Sequence, residues 1–244
     1  MEKSNIGEKI KLLTGSGMWH TREAEGLPSV HLSDGPHGLR KQEEKERQNN
    51  VSLVSTCYPT ASALACSWDV TAAERLGRAV AKEAWNADVA VLLGPGINMK
   101  RSPLCGRNFE YFSEDPFLAG RLGAAYVSAA QGENVAVSLK HFAANNQETN
   151  RQTSNSQIDE RALREIYLSA FEYVVKTARP ATVMASYNRL NGYYACENRH
   201  LLTEILREEW GFDGVVISDW GACADLAKAV KAGMDLEMPD SPGS

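Results

Sequence analysis

The sequence predicts an α/β fold of the (β/α)8 TIM-barrel type, and three observations support this prediction. Short apolar segments rich in Val, Ile and Leu recur along the chain without clean alternation, which is typical of parallel strands buried on both faces. Longer amphipathic segments separate them, as expected for repeated strand–helix units. No GxGxxG motif opens a first helix, so an open dinucleotide-binding sheet is disfavoured.

Seven segments are predicted strands, the last of them with a weaker pattern. They cover residues 29–34, 63–67, 88–96, 134–142, 181–188, 214–220 and 234–239. The repeated order of these elements favours a barrel over an open doubly wound sheet.

Four segments with apolar residues at helical spacing are predicted helices. They cover residues 71–86, 118–131, 159–177 and 201–212. Asp159 is a candidate N-cap for the third helix, and Asn198 or Thr203 for the fourth. Gly211 is a candidate C′ residue of the fourth helix.

Composition limits the function classes. The chain has 244 residues, 43% hydrophobic and 23% charged, with a net charge of −5, which disfavours nucleic acid and anionic membranes as partners. The five cysteines show no paired or metal-type spacing, which fits a reducing compartment. Because the first residues, "MEKSNIGEKI", are too polar for a signal peptide and no long apolar run follows, we expect a cytoplasmic protein.

Two long polar segments follow predicted strands and are candidate functional loops, namely 97–116 and 143–157. In barrels, functional residues concentrate in the loops at the carboxyl ends of the strands. The charged run 40–50 is interpreted instead as a solvated loop.

Reactive side chains end five of the predicted strands or lie in the loops that follow them. They are Asp34, Arg107, Glu110, Lys140, His141, Tyr187 and Asp219. Each also has a purely structural interpretation: Asp34 and Asp219 can cap turns or helices, Tyr187 can be a core residue, and Arg107 can pair with Glu110 or Glu114. In a regular strand, the adjacent Lys140 and His141 would point to opposite faces. Their joint placement at one mouth favours a functional site.

The chemistry of this set suits a sugar. Carboxylates and cationic donors bind hydroxyl groups, and an aromatic wall stacks on the C–H face of the ring. A carboxylate below the anomeric carbon can attack it, and neighbouring cations would hold that carboxylate ionised. The sequence shows no metal-ligand cluster and no Ser/His nucleophile elbow, so no cofactor is expected.

Four motifs in order, "LSDGPHGLR", "GRNFEYFSEDP", "KHFAANNQETNR" and "GFDGVVISDWGA", resemble the β-glucosidase branch of glycoside hydrolase family 3. The resemblance runs from about Ile6 to the last residues. It implies an N-terminal barrel domain and a retaining mechanism that releases terminal β-D-glucose from a β-glucoside or oligosaccharide substrate. The segment "AANNQETNR" contains no His, which disfavours the N-acetylglucosaminidase branch of the family.

The resemblance also implies roles for single residues. Asp219 is similar to the family's nucleophile, and Asp34 to a carboxylate that binds hydroxyls at the far end of the sugar. Arg107, Lys140 and His141 resemble hydroxyl donors. Tyr187 resembles a residue held near the nucleophile, Met184 and Trp220 resemble walls of the subsite, and Glu110 is a supporting partner.

In this family the acid/base is a Glu on a C-terminal α/β sandwich domain. By motif count, residues 1–244 correspond to the N-terminal barrel domain without its last units and without that second domain. We therefore expect doubtful activity for this chain alone, and association either through the unclosed barrel or with a separate chain carrying the C-terminal domain.

Two alternatives remain open at this stage. Lys140 at a strand end could form a Schiff base, as in barrel aldolases. The chain could also be a non-catalytic or vestigial sugar-binding barrel.

Overall fold

A five-stranded parallel sheet organises the computed structural model of the chain, which describes residues 6–42 and 51–240. The strands in chain order are β1 (Gly15–Ser16), β2 (His20–Thr21), β3 (Leu32–Asp34), β4 (Val91–Leu93), β5 (Ala136–Phe142), β6 (Asn155–Ser156), β7 (Thr182–Ala185), β8 (Arg189–Leu190), β9 (Tyr193–Tyr194) and β10 (Val215–Ser218). The central sheet has the order β10-β7-β5-β4-β3, whereas β1-β2 and β6-β8-β9 form two small separate sheets.

Helices cover the outer side of this sheet. They are α1 (Ile6–Lys11), α2 (Ala61–Ala65), α3 (Val70–Asn86), α4 (Pro116–Gln131), α5 (Glu160–Ala162), α6 (Ser169–Ala178) and α7 (Leu226–Ala232), with π-helical segments at Leu163–Tyr167 and His200–Glu209. The alternation of parallel strands and helices confirms the predicted α/β class.

Both faces of the central strands are buried, as the lack of alternation in their sequences predicts. Leu92, Val183 and Val216 belong to the large core shared with the helices. Side chains on the opposite face form a second apolar group, here called the inner cluster: Leu32, Val91, Leu93, Met184, Ile217, Leu236 and Met238. Burial on two faces therefore accounts for the continuous Val, Ile and Leu runs.

The sheet is open, so the predicted barrel is not closed by regular strands. The weak strand predicted at 234–239 forms only isolated bridges, from Leu236 to Ile217 and from Glu237 to Thr14. On the other side, the Leu32 N–H donates to the Trp19 carbonyl oxygen at 2.7 Å. These bonds supply some backbone partners along both outer strands, and the association expected through the unclosed barrel stays a prediction.

One predicted strand is wrong. Residues 63–67 fall in and just after helix α2, whose N-cap Thr60 accepts a hydrogen bond from the Ala63 N–H through its side chain. Ala and Leu are strong helix formers, and the threonine cap satisfies an otherwise unpaired donor at the helix start. The local cap therefore decides the structure of a short apolar run that periodicity alone cannot assign.

The four predicted helices all form. The third begins at its predicted N-cap Asp159, which accepts a hydrogen bond from the Ala162 N–H. The fourth forms over His200–Glu209 with π-type hydrogen bonding. Its start is capped by Asn198, which accepts from the Leu201 N–H. Gly211 (φ 72°) lies just past its end, in the left-handed region that favours glycine.

Three remaining expectations concern the charged run, the cysteines and membrane-spanning helices. Of the charged run 40–50, residues 43–50 lie outside the described residues. All five cysteines are unbridged. Across residues 6–42 and 51–240, no helix combines the length and apolar character that a membrane crossing needs.

A surface network on the fourth predicted helix gives a testable pH effect. His200 Nδ1 lies 2.8 Å from Glu204, its Nε2 lies 3.3 Å from Glu160, and these contacts raise the pKa of His200 despite some burial. A raised histidine pKa contributes stability below the unfolded value of about 6.5, and this stability is lost as the pH rises through the folded value. The His200 side chain is 46% exposed, so solvent screening keeps the effect under about 1 kcal/mol.

We therefore expect His200→Gln to lower the free energy of unfolding at pH 5.5 and to leave it nearly unchanged at pH 9, as measured by urea denaturation. Arg161→Gln is the control, because it removes an exposed ion pair with Glu165 that contains no histidine. Equal losses for His200→Gln at both pH values would contradict the prediction.

Candidate active site

The predicted reactive residues meet at one edge of the central sheet. Asp34 is the last residue of β3, Lys140 and His141 lie near the end of β5, and Asp219 directly follows β10. Tyr187 lies two residues beyond β7. Because these strands are parallel, their carboxyl ends share one edge, and the structure brings the side chains together as predicted.

Glu110 is the centre of a buried ion cluster. Its Oε2 accepts a hydrogen bond from Arg107 Nε at 2.8 Å, and its Oε1 accepts from Arg107 Nη2 at 3.0 Å. Lys140 Nζ lies 3.1 Å from Oε1 of the same carboxylate and 3.4 Å from Asp34 Oδ1. A bidentate guanidinium and an ammonium therefore share one carboxylate, as expected if Glu110 supports its neighbours, and its supporting role stays a prediction.

The charges of this cluster stabilise one another. Burial alone would raise the pKa of Glu110, but Lys140 and Arg107 hold it well below its ordinary value. Burial alone would lower the pKa of Lys140, but Glu110 and Asp34 raise it. A Schiff base requires an unprotonated amine, so the raised pKa of Lys140 argues against the aldolase alternative.

His141 is neutral, and its partners define which ring nitrogen carries the proton. Burial, followed by the Arg107 charge, lowers the pKa of His141 well below its ordinary value. Arg107 Nη2 lies 2.8 Å from Nε2, and since a guanidinium can only donate, Nε2 accepts. Nδ1 therefore carries the proton and donates to the Tyr111 hydroxyl oxygen at 3.1 Å. Both ring nitrogens thus have protein partners, so donation by His141 to a sugar would require exchange of one of these contacts.

Lys140 and His141 both lie inside this cluster, whereas a regular strand would send them to opposite faces. The pairing of β5 with β7 shifts register between Leu139 and Phe142, which interrupts the regular alternation. Asn98 binds the backbone at this irregularity: its Oδ1 accepts from the His141 N–H at 2.7 Å, and its Nδ2 donates to the His141 carbonyl oxygen at 2.8 Å.

Gly96 allows the loop after β4 to approach β5 closely. It forms backbone bridges with both Tyr111 and Lys140. A Cβ atom at this position would lie 3.0 Å from the Tyr111 ring, which is closer than most real Cβ contacts. A glycine here therefore lets the loop bring Arg107, Glu110 and Tyr111 against Lys140 and His141.

Asp219 is nearly buried, with 7% of its surface exposed. Its Oδ1 accepts a hydrogen bond from the Trp220 N–H at 2.8 Å, whereas Oδ2 has no hydrogen-bond partner among the described residues. Oδ2 lies 3.6 Å from His141 Nε2, but that nitrogen already accepts from Arg107, so the contact is not an ion pair. Asp219 Oδ2 therefore makes no hydrogen bond of normal geometry with the described residues, although the Tyr187 phenol lies near enough to lower the pKa of this carboxyl.

Burial opposes the neighbouring cations in setting the pKa of Asp219. Burial raises the pKa of Asp219 above the ordinary value for aspartate, and the charges of Arg107 and Lys140 only partly oppose this. The sequence argument, in which neighbouring cations alone set the ionisation, omitted the cost of removing a carboxylate from water. A raised pKa makes this carboxylate more basic than an exposed aspartate.

Tyr187 connects the polar loop 143–157 to the residue after Asp219. Its hydroxyl group donates to the Trp220 carbonyl oxygen at 3.1 Å. The Arg151 guanidinium lies 4.1 Å from the centroid of the Tyr187 ring and is paired with Glu148 at 2.9 Å. Burial, followed by the Asp219 charge, raises the pKa of Tyr187, so the phenol remains protonated and can keep donating.

Trp220 and Met184 occupy different positions beside Asp219. Trp220 is partly buried, donates through Nε1 to the Met18 carbonyl oxygen at 2.7 Å, and packs against Trp19 with ring centroids 5.1 Å apart. Met184 is buried within the inner cluster, on which both tryptophans pack. The predicted assignment of both residues as walls of a sugar subsite remains a prediction.

Asp219 and Asp34 both follow or end a strand, where an aspartate can act as a cap. The helix after Asp219, α7, is capped by Asp225 rather than by Asp219. Asp34 keeps a side chain that is 35% exposed and contacts Lys140, while its carbonyl oxygen accepts from the Arg40 N–H in the following turn. Capping therefore does not explain Asp219, and the turn uses only the backbone of Asp34.

Sequence reasoning missed four residues that surround this site: Asn98, Tyr111, Arg151 and Trp19. Tyr111 and Arg151 lie inside motifs that had already been singled out, so a closer examination of polar residues in those motifs could have found them. Asn98 and Trp19 carry no periodic or motif signal of their own. Among the described residues, no group of three or more His, Cys, Asp or Glu side chains could hold a metal ion.

Two cavities lie away from the candidate site. One, of about 410 Å³, is lined by the segment 53–56 and the end of α3. The other, of about 380 Å³, is lined by Leu163, Leu190 and Tyr193 among others. Neither contains a residue predicted to bind or transform a sugar.

Comparison with known proteins gives a consistent family. A sequence model described as "Glycosyl hydrolase family 3 N terminal domain" matches residues 36–244. The chain is 53% identical to thermostable β-glucosidase B from Acetivibrio thermocellus, covering 100% of this chain and 33% of that protein. It is 50% identical to an exo-α-(1→6)-L-arabinopyranosidase from Bifidobacterium longum, covering 97% of this chain and 32% of that protein.

Solved structures agree with these sequence relatives. β-Glucosidase 3B from Thermotoga neapolitana in complex with glucose superposes with a TM-score of 0.92 at 42% identity, covering 97% of this chain and 35% of that chain. The β-glucosidase from Kluyveromyces marxianus in complex with glucose gives a TM-score of 0.93 at 43% identity, covering 98% of this chain and 28% of that chain. The chain therefore spans about a third of the length of the curated relatives that it matches.

Proposed function

The chain belongs to glycosyl hydrolase family 3, and on that premise we propose that it carries the sugar-binding and nucleophilic half of a retaining β-glucosidase. Asp219 is the nucleophile in this proposal, and Asp34, Arg107, Lys140 and His141 surround the bound sugar. Met184, Tyr187 and Trp220 complete the walls and the support of the site. The relatives named as β-glucosidases support the reaction class.

One observation carries the assignment of Asp219. Its Oδ2 is buried and has no hydrogen-bond partner among the described residues, while Oδ1 is held by the Trp220 N–H. One carboxylate oxygen is thus oriented by the backbone and the other is available for attack on the anomeric carbon. Arg107 and Lys140 lie close enough to favour its ionised form, although burial opposes them.

In the proposed reaction, Asp219 Oδ2 forms a bond with the anomeric carbon as the glycosidic C–O bond breaks. The leaving oxygen requires a proton, and water later hydrolyses the glycosyl–enzyme ester with retention of configuration. Glu110 cannot supply that proton, because Lys140 and Arg107 hold its pKa well below its ordinary value. As the family resemblance implies, we propose that the acid/base is a Glu in the part of the longer relatives that this chain does not match.

A substrate that needs no acid tests the nucleophile by itself. We expect a 2,4-dinitrophenyl 2-deoxy-2-fluoro-β-D-glucoside to add one fluoroglucosyl group to the chain, seen by intact-mass analysis and located at Asp219 by peptide mapping. Cellobiose should hardly be hydrolysed by this chain, because its leaving group needs general acid help, which contributes about 10²–10⁴-fold. Absence of an adduct from folded protein that still binds glucose by calorimetry would instead indicate a vestigial sugar-binding barrel.

The pH dependence of this labelling has a defined direction. Attack requires the carboxylate form, so the rate should fall as the pH drops through the Asp219 pKa, by about tenfold per pH unit below it. Because burial raises that pKa, the midpoint should lie above 3.8. A midpoint at or below that value would contradict the burial of Asp219.

A second sugar class comes from one relative. The exo-α-(1→6)-L-arabinopyranosidase shares 50% identity with this chain, as close as several β-glucosidases. An α-L-arabinopyranoside lacks the hydroxymethyl group of a β-D-glucoside and has the opposite configuration at C4. Labelling with the corresponding activated arabinopyranoside, in parallel with the glucoside, distinguishes the two sugars at the same nucleophile.

A further inference from the structure

The backbone of His141 is satisfied by a side chain rather than by a neighbouring strand. Asn98 Oδ1 accepts from the His141 N–H at 2.7 Å, and Asn98 Nδ2 donates to the His141 carbonyl oxygen at 2.8 Å. Asn98 is 2% exposed and His141 is 1% exposed, so water does not compete for these bonds. Both hydrogen-bonding groups of one peptide residue thus depend on one amide.

The contact between Asn98 and His141 lies where β5 loses its regular pairing with β7. β5 pairs regularly with β7 up to Leu139 and again at Phe142, and the register shifts between them. Buried backbone groups that lose their strand partners must be paired in another way. The Ile97 N–H donates to the Lys140 carbonyl oxygen at 2.9 Å, and Asn98 follows with its two bonds to His141. The loop after β4 therefore replaces the missing strand contacts.

We propose that Asn98 is a positioning residue that fixes the irregular Lys140–His141 segment and thereby orients the His141 ring between Arg107 and Tyr111. With the backbone held, His141 Nε2 lies 2.8 Å from Arg107 Nη2, and Nδ1 lies 3.1 Å from the Tyr111 hydroxyl oxygen. This orientation keeps the Asp219 side of the ring free of an N–H group, so Asp219 Oδ2 keeps no partner from His141. Only the effect of Asn98 on fluoroglucoside labelling rests on the proposed function, whereas the orientation of the His141 ring does not.

The amide is suited to this task in a way that a carboxylate is not. An asparagine offers one acceptor and one donor, which match the N–H and carbonyl groups of His141. An ionised aspartate would place a second oxygen against the His141 carbonyl oxygen. A protonated aspartic acid, by contrast, restores one donor and one acceptor, and burial raises the pKa of such a group.

Asn98→Asp therefore acts as a pH-dependent test. The charged groups that face His141 are Arg107, Glu110, Lys140 and Arg151, with Asp219 at 3.6 Å from Nε2. The readout is the ¹⁵N–¹H correlation of the His141 ring, assigned by comparison with His141→Gln, and the rate of fluoroglucoside labelling. Asn198→Asp is the matched control, because Asn198 is also buried and also binds backbone N–H and carbonyl groups, at Leu201 and Leu190.

In the wild-type chain we expect a neutral ring with the proton on Nδ1 from pH 5 to pH 8. In Asn98→Asp at pH 8 this pattern should be lost and labelling at pH 7 should fall about a hundredfold, whereas at pH 5 the ring pattern should return. Asn198→Asp should change thermal stability but neither readout. If Asn98→Asp unfolds at pH 8, then Asn98→Ala, which buries no charge, should show the lost ring pattern in folded protein.

Two results would overturn the proposal. One is a wild-type ring pattern in folded Asn98→Ala, which has neither the donor nor the acceptor at any pH, and the other is an equal change in Asn198→Asp. Failure of the wild-type chain to label would count against the proposed function, while the ring pattern, which needs no sugar, would still test Asn98.

Discussion

Asp219→Asn is expected to abolish covalent labelling by the fluoroglucoside, with the rate falling by at least about 10³-fold. An amide oxygen carries no full negative charge and is a poor nucleophile. The substitution keeps the size of the side chain, and its Oδ1 can still accept from the Trp220 N–H. Intact-mass analysis over time measures the loss directly.

Asp219→Asn should also have a defined effect on stability, which distinguishes loss of the nucleophile from loss of folding. Because burial raises the pKa of Asp219, the ionised side chain destabilises the folded state at neutral pH relative to an exposed aspartate. Asp219→Asn removes that charge and should leave the melting temperature at pH 7 unchanged or higher, as active-site charges often reduce stability. Asp213→Asn, an exposed surface change, is the control that should label normally. Normal labelling of Asp219→Asn would exclude Asp219 as the nucleophile.

Glu110→Gln is expected to produce the largest loss of stability, about 3–5 kcal/mol. Glu110 accepts from Arg107 at 2.8 Å and contacts Lys140 at 3.1 Å, with all three side chains largely buried. Removing its charge leaves two cations close together with little compensation. Urea denaturation at pH 7 measures the loss, and Glu114→Gln, an exposed carboxylate in the same loop, should change the free energy of unfolding by less than about 0.5 kcal/mol.

The loss of stability at acid pH should also differ between the wild-type chain and Glu110→Gln. The folded pKa of Glu110 is depressed, so its contribution is present above the unfolded value of about 4.3 and is lost as the pH falls toward the folded value. The wild-type chain should therefore lose stability between pH 5 and pH 2 more steeply than Glu110→Gln. Parallel curves for the two proteins would show that the Arg107 and Lys140 contacts do not depress this pKa.

Much of the site could be predicted because topology alone brings it together. Asp34, Lys140, His141 and Asp219 end different strands, and parallel strands put their ends at one edge whatever the details of packing. The structure forms one of the two pairs that the sequence offered as a structural alternative for Arg107, the pair with Glu110 three residues away. Strand ends and short sequence separations are local signals that a single sequence contains.

The parts that were missed depend on contacts between distant segments. Asn98 binds His141 across 43 positions, and nothing in the sequence near Asn98 predicts a bond to a backbone whose register has shifted. The contribution of burial to the pKa of Asp219 was missed because it depends on packing that charge patterns do not report. Helix α2 was missed because a five-residue apolar run fits a strand and a helix equally well.

The contact of Trp220 with Met18 has a consequence for how the chain folds. These residues are 202 positions apart, and the nearby bond from the Gly15 N–H to the Glu237 carbonyl oxygen is also between distant segments. Such links raise the contact order. Closing the long loop between their segments costs conformational entropy before the contacts can stabilise the fold. The hairpin β1–β2 therefore cannot dock in its final place until ribosomal synthesis has passed the segment around Glu237. Docking of β1–β2 against Trp220 is accordingly expected late in folding.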